Sequence, residues 1–201
     1  MQTSPLHRAR VEHQRASFEQ AEALSDVLLR FESLFGPNAK LSLGERPSGS
    51  DWTRLEVVEH VVLTNHFLGI FIQKLVKKDR RVQSPTHEKD AEEEHTGLTP
   101  FGEKIESGLS DVANDGRPWD APEHMLPKGE PAEQVLRKLR EQRLALRAWL
   151  RALPAGPDGN GRRHTIRMTV LEPGADRLGL VEMAGFITAH AERHWQRVAQ
   201  V

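Results

Sequence analysis

Four long stretches of the chain place apolar residues at helical spacing, and none shows the clear alternation of a half-buried strand. In the first, from about Leu6 to Phe35, Val11, Phe18, Ala21, Leu24, Leu28, Phe31 and Phe35 recur at steps of three, four and seven, and Gly36-Pro37 supplies a stop. A Gly-, Ser- and Pro-rich loop over 40–50 follows. Ser50 or Asp51 is the expected cap of a second helix from Trp52 to about Lys78, with Leu55, Val58, Val62, Phe67, Ile70, Phe71 and Leu75 among its apolar positions. A third begins at Pro131 and runs to Leu153, with Val135, Leu139, Leu146 and Leu150 on one stripe. The last runs from about Leu178 to Ala199. Such a set predicts an all-α fold, a four-helix bundle with long loops. A chain of 201 residues can bury a proper core, so one domain over 1–201 is expected.

The connections are unusual in length. The polar run DRRVQSPTHEKDAEEEH, from Asp79 to His95, reads as a solvated loop, and Thr99 to Val112 as a minor helix. Proline and glycine in NDGRPWDAPEHMLPKGEP argue against regular structure there, and a loop this long tends to be functional or mobile. In HTIRMTVLEPGADRLG, the β-branched first half suits a short extended segment.

Charge and composition exclude several classes. A formal net charge of -1 and a pI near 6.8 give no general pull toward nucleic acid or an acidic membrane surface. No stretch approaches the roughly 18 consecutive apolar residues of a membrane span, and the first residues carry no signal-peptide core. The chain has no cysteine, so a disulfide framework, a thiolate metal site and a cysteine nucleophile are all absent. These features fit a soluble, cytoplasmic protein with neither nucleic acid nor membrane as partner.

Histidine carries the chemical signal. His190 and His194, in FITAHAERHWQRV, are separated by about 400° of helical rotation and stand on one face, one turn apart. Two imidazoles so placed can grip one transition-metal ion, although the same spacing also occurs on plain exposed faces. His60, in LEVVEHVVLTNHFL, is a candidate third ligand. Three neutral imidazoles from two helices would hold a metal and leave a coordination position open. His66 lies about 240° around from His60 and cannot easily face the same point. His7, His13, His87, His95, His124 and His164 fall in polar or loop-like contexts.

The acidic neighbours are less decisive. Glu192 projects to the other side of the helix from the histidine pair, toward solvent with Arg193. A zinc peptidase would instead place its glutamate directly after the first histidine. Glu56 precedes His60 by four residues and shares its face; it is a candidate acid–base or ligand-orienting group, or else a peripheral ion pair with Arg54 or a neighbouring helix. Glu59 points away. Trp52, Trp149 and Trp195 are expected to fill the core, with Trp195 also placed to line a pocket, while Trp119 has no assignable role.

In its order of motifs the chain resembles the DinB-like (YfiT-like) metal-binding superfamily of four-helix bundles. Trp52 opens the second helix ahead of Glu56-Val57-Val58-Glu59-His60. Glu172-Pro173 and Arg177-Leu178-Gly179-Leu180 precede the helix that carries His190 and His194. The long third helix after the Pro-rich segment also fits. The resemblance covers most of the chain and implies that His60, His190 and His194 form a metal triad, with zinc or nickel as the usual divalent ion. It further implies thiol S-transferase or hydrolase chemistry, a low-molecular-weight thiol as one cofactor, a link to detoxification or stress, and room for a homodimer. Trp195 directly after the last ligand, and the charged insertion from Arg80 to His95, depart from the family pattern.

A dication held by three neutral imidazoles keeps most of its charge. It can bring the pKa of water down to roughly 7 and equally favours a thiolate. Two readings follow. One is an enzyme that activates a thiol or water against a small electrophile; the other is a non-catalytic protein whose metal site is structural or sensory.

Overall fold

The computed structural model describes residues 4–82, 121–152, 166–167 and 177–199. Four helices occupy most of them: α1 (Pro5–Ser33), α2 (Arg54–Val82), α3 (Ala132–Arg151) and α4 (Leu180–Val198). A short antiparallel ladder pairs β1 (Ile166–Arg167) with β2 (Arg177–Leu178), in the register Ile166 to Leu178 and Arg167 to Arg177. This ladder delivers the chain directly to α4, whose first turn is tied by the Gly179 N–H donating to the Glu182 carboxylate. The expected minor helix over 99–112, and Trp119, His87, His95 and His164, lie outside the described residues.

Each of α1 and α2 packs against both α3 and α4, so the four helices form a square with α1 and α2 on one diagonal. Contacts along their lengths fix the directions. Gln20 lies against Gly185, and Phe31 against Trp195, so α1 and α4 run parallel. Val62 accepts from Gln142, and Gly69 lies against Leu146 and Trp149, so α2 and α3 are parallel too. Arg54 reaches Val198 while His60 reaches His190, which makes α2 antiparallel to α4. Parallel neighbours cannot be joined by a tight turn. The chain between Val82 and Ala132 is long enough for the crossover that this arrangement requires.

The helices form where the periodicity places them, with differences at their edges. The buried residues of α3 are Val135, Leu139, Leu146 and Leu150, the whole expected stripe and nothing else. In α1 the stripe holds from Ala21 to Phe31, but Val11 and Phe18 are about half exposed; Phe18 instead lies under the Arg151 guanidinium, 4.7 Å away. α2 runs on to Val82, because Asp79, Arg80 and Arg81 are polar yet compatible with a helix. Arg54–Lys74 is long and apolar enough for a membrane span, and the bundle uses that apolarity as core: Val57, Val58, Val61, Val62, Leu68 and Ile72 are all buried. In the Pro-rich segment a 3₁₀ turn forms at Glu123–Met125, where no regular structure was expected.

The cap of α2 is Thr53 rather than Ser50 or Asp51. Thr53 Oγ1 accepts the Glu56 N–H, and Glu56 Oε2 accepts both the Thr53 N–H and its hydroxyl, which is a reciprocal capping box. Ser50 closes a local turn onto Trp52. Outside the core, Glu22 and Glu32 on α1 bridge to arginines of α3.

Candidate metal centre

Arg54 sets the level of the site. Its buried guanidinium donates to the Val198 carbonyl at 3.1 Å and pairs with Glu45 at 3.0 Å, which ties the start of α2 to the end of α4. Six residues on, His60 then comes level with the last two turns of α4. His190 and His194 face it, one turn apart.

The three rings meet. Their centroids are 5.2 Å apart for His60 and His190, 4.8 Å for His60 and His194, and 4.5 Å for His190 and His194. One ring nitrogen from each lies within 4.8 Å of the others. His60 Nε2 and His190 Nε2 are 3.3 Å apart. Two nitrogens bound tetrahedrally to one zinc, each at about 2.0–2.1 Å, would stand roughly 3.3–3.4 Å apart. Among the described residues no fourth His, Asp or Glu joins the group.

One hydrogen bond settles the His60 tautomer. Its Nδ1 lies 2.8 Å from the Met125 carbonyl, which can only accept, so Nδ1 carries the proton and Nε2 presents a lone pair to the other rings. Trp52 covers His60 with a ring-centroid distance of 5.0 Å. The Nδ1 atoms of His190 and His194 are buried with no hydrogen-bond partner.

Burial keeps the cluster uncharged. It lowers the His60 pKa, against the opposing effect of the Met125 bond. It pushes His190 down to about 3, helped by His60 and Arg193, and holds His194 well below its ordinary value, helped by His190 and His60. Three neutral imidazoles crowded together, with no carboxylate among them and buried nitrogens unpartnered, form a poor polar core and a good cation site. The donor set fits a borderline transition-metal dication.

The remaining sequence candidates stand elsewhere. Glu56 is outside the imidazole group; its carboxylate is turned to the start of α2, where the Thr53 N–H above all lowers its pKa. The pairing foreseen for it with Arg54 is not made, because Arg54 is committed to Glu45 and Val198. Glu192 does not simply face solvent. It bridges to Arg30 of α1, whose guanidinium also lies over Trp195. Trp195 packs edge-on against Phe31, on the core side. His66 is exposed beside Phe67, away from the cluster. His124 is exposed and also packs on Phe67, while His13 is buried rather than in the polar setting expected of it.

Two contributors escaped the sequence. The Met125 carbonyl is main chain and leaves no side-chain signature. Glu59 is 1% exposed, and its carboxylate accepts backbone N–H groups from Lys128, Gly129 and Glu130. A signal for Glu59 did exist, since it sits among Val57, Val58, Val61 and Val62, where any side chain is carried inward.

Comparison with curated proteins and with solved structures gives no match. The family model of the DinB superfamily matches residues 12–198, which include all four helices almost entire and all three clustered histidines. With a four-helix bundle and a three-histidine cluster that could bind a metal ion, this chain belongs to the DinB superfamily.

Proposed function

We propose that the protein is a metal-dependent enzyme that uses a divalent ion on His60, His190 and His194 to activate a thiol or water against a small electrophile. The observation that carries this reading is the convergence of three neutral imidazoles, with no fourth His, Asp or Glu joining them among the described residues. A site closed by four protein ligands would favour a structural role, whereas three ligands leave a side open to a reactant. The ion would supply charge to that open side, lowering the pKa of a water or thiol brought there.

The chain's own residues do the rest. Burial holds the imidazoles in their ligating form, the Met125 carbonyl orients His60, and Trp52 packs against it. Zinc or nickel is the ion we favour, because imidazole ligands suit both. A low-molecular-weight thiol is the reading for the co-substrate. One domain over 1–201, a cytoplasmic setting and, less directly, a homodimer complete the proposal; the lack of cysteine fits a reducing compartment.

The test is metal analysis of purified protein, followed by turnover of an electrophile with a panel of small thiols and with water alone. Stoichiometric metal, and turnover abolished by a chelator and restored by the ion, are expected. Bound metal with no turnover across the panel would instead make the site structural or sensory. Failure of zinc and nickel to bind the folded chain would overturn both readings.

A further inference from the structure

Residues 122–131 lie across α2 as a strap, and the strap is held at three places. At its first end a 3₁₀ turn closes from Met125 N–H to the Pro122 carbonyl at 2.7 Å, which presents the Met125 carbonyl to His60. In its middle the consecutive N–H groups of Lys128, Gly129 and Glu130 converge on the Glu59 carboxylate, at 2.8, 3.1 and 3.2 Å. Toward its far end Glu130 pairs with Lys138 of α3. One way to turn successive N–H groups toward a single anion is a nest in which the backbone enters the left-handed region. Gly129 supplies this with φ of 75°.

A glutamate buried among four valines is costly unless its oxygens are fully used, and here the strap uses them. Glu59 takes no part in the imidazole group itself. Its carboxylate is engaged by the strap, whose Met125 carbonyl in turn meets His60. We propose that Glu59 is a positioning residue for the metal centre, which fastens the strap so that the Met125 carbonyl stays on His60 Nδ1 and the His60 Nε2 lone pair stays aimed at His190 and His194. This inference rests on the metal-site reading of the cluster. It assigns to the residue beside the ligand a role that the side chain of His60 cannot perform for itself.

Partners that orient a metal-binding imidazole are worth about 10–100-fold in metal affinity. Glu59→Gln keeps the size of the side chain but sets an amide N–H₂ against backbone donors. Zinc affinity by chelator competition is expected to fall by about 10–100-fold in this variant. In metal-free protein, long-range proton–nitrogen spectra are expected to show His60 losing its single Nδ1–H form. Gly129→Ala attacks the same strap from its other side, because a methyl group there meets no atom within 4 Å and only the backbone is strained. It should lower zinc affinity in the same direction. Glu22→Gln breaks a remote bridge to Arg147 and Arg151 and should leave zinc affinity unchanged. Wild-type zinc affinity together with an unchanged His60 tautomer in Glu59→Gln would overturn the proposal. If that variant does not fold, the same result in Gly129→Ala would overturn it. A wild-type chain that binds neither zinc nor nickel would sink the metal reading instead, and the His60 tautomer of the metal-free variants would still decide the role of Glu59.

Discussion

At the scale of single residues, rotation and burial separate the histidines. His60 and His66 share a helix, yet one is buried against α4 and the other exposed beside Phe67. His194→Ala is therefore expected to abolish tight zinc binding, whereas His66→Ala leaves it within about twofold, since it removes no ligand. Equal loss in both folded variants would show that the wrong imidazoles were chosen. Burial also makes a prediction about pH. The unfolded chain takes up protons on its imidazoles below about 6.5, while folded His190 resists until about 3. Between those values the unfolded state binds more protons, so stability of the metal-free protein falls as pH falls through this window, by about 1.4 kcal/mol per pH unit for each such imidazole. His190→Leu removes one imidazole and should flatten the slope of unfolding free energy between pH 6 and pH 4, a span of roughly 2 units inside the window. An unchanged slope in denaturant titrations would mean that His190 is protonated normally in the fold.

At the scale of elements, most of what could be read was read from side chains, and the misses have a common cause. The stripe of α3 was legible because an isolated amphipathic helix shows its buried face directly in its spacing. The start of α2 was harder. Ser50, Asp51 and Thr53 are all good caps, and the pattern Thr53-x-x-Glu56 was the one that decided. Glu56 was a chemical candidate on its spacing from His60, but the same spacing from Thr53 gives it a structural partner. Glu56→Ala is accordingly expected to cost about 1 kcal/mol in stability through loss of the cap. It should leave zinc affinity nearly unchanged. A large fall in affinity with little change in stability would return Glu56 to the metal site. The strap over α2 was not legible at all, because its contact with His60 is made by a carbonyl, and periodicity says nothing about where a Pro-rich segment lies.

At the scale of the whole molecule, periodicity establishes that there are helices to bundle but not which ones touch. Spacing alone put His190 beside His194; bringing His60 to them requires α2 and α4 to be antiparallel neighbours at the right level. That register is fixed where Arg54 reaches Val198 and His60 reaches His190, and both helices contribute to the same core. The parallel pairing of α2 with α3 demands a crossover, which accounts for the length of chain between those two helices. An ion at the cluster would clip α2 to α4 in the folded state only, since the unfolded chain separates His60 from His190 by 130 residues. Binding to the native state alone stabilises by mass action, about 2.7 kcal/mol at a free-ion concentration one hundred times the Kd. For a chain of this length that corresponds to a rise in Tm of roughly 5–10 °C. The rise should vanish in His60→Ala as completely as in His190→Ala, because either change unfastens the clip. Thermal melts with zinc and with a chelator give the answer. A shift that survives His60→Ala would show that the ion is held on α4 alone and does not join the two halves of the bundle.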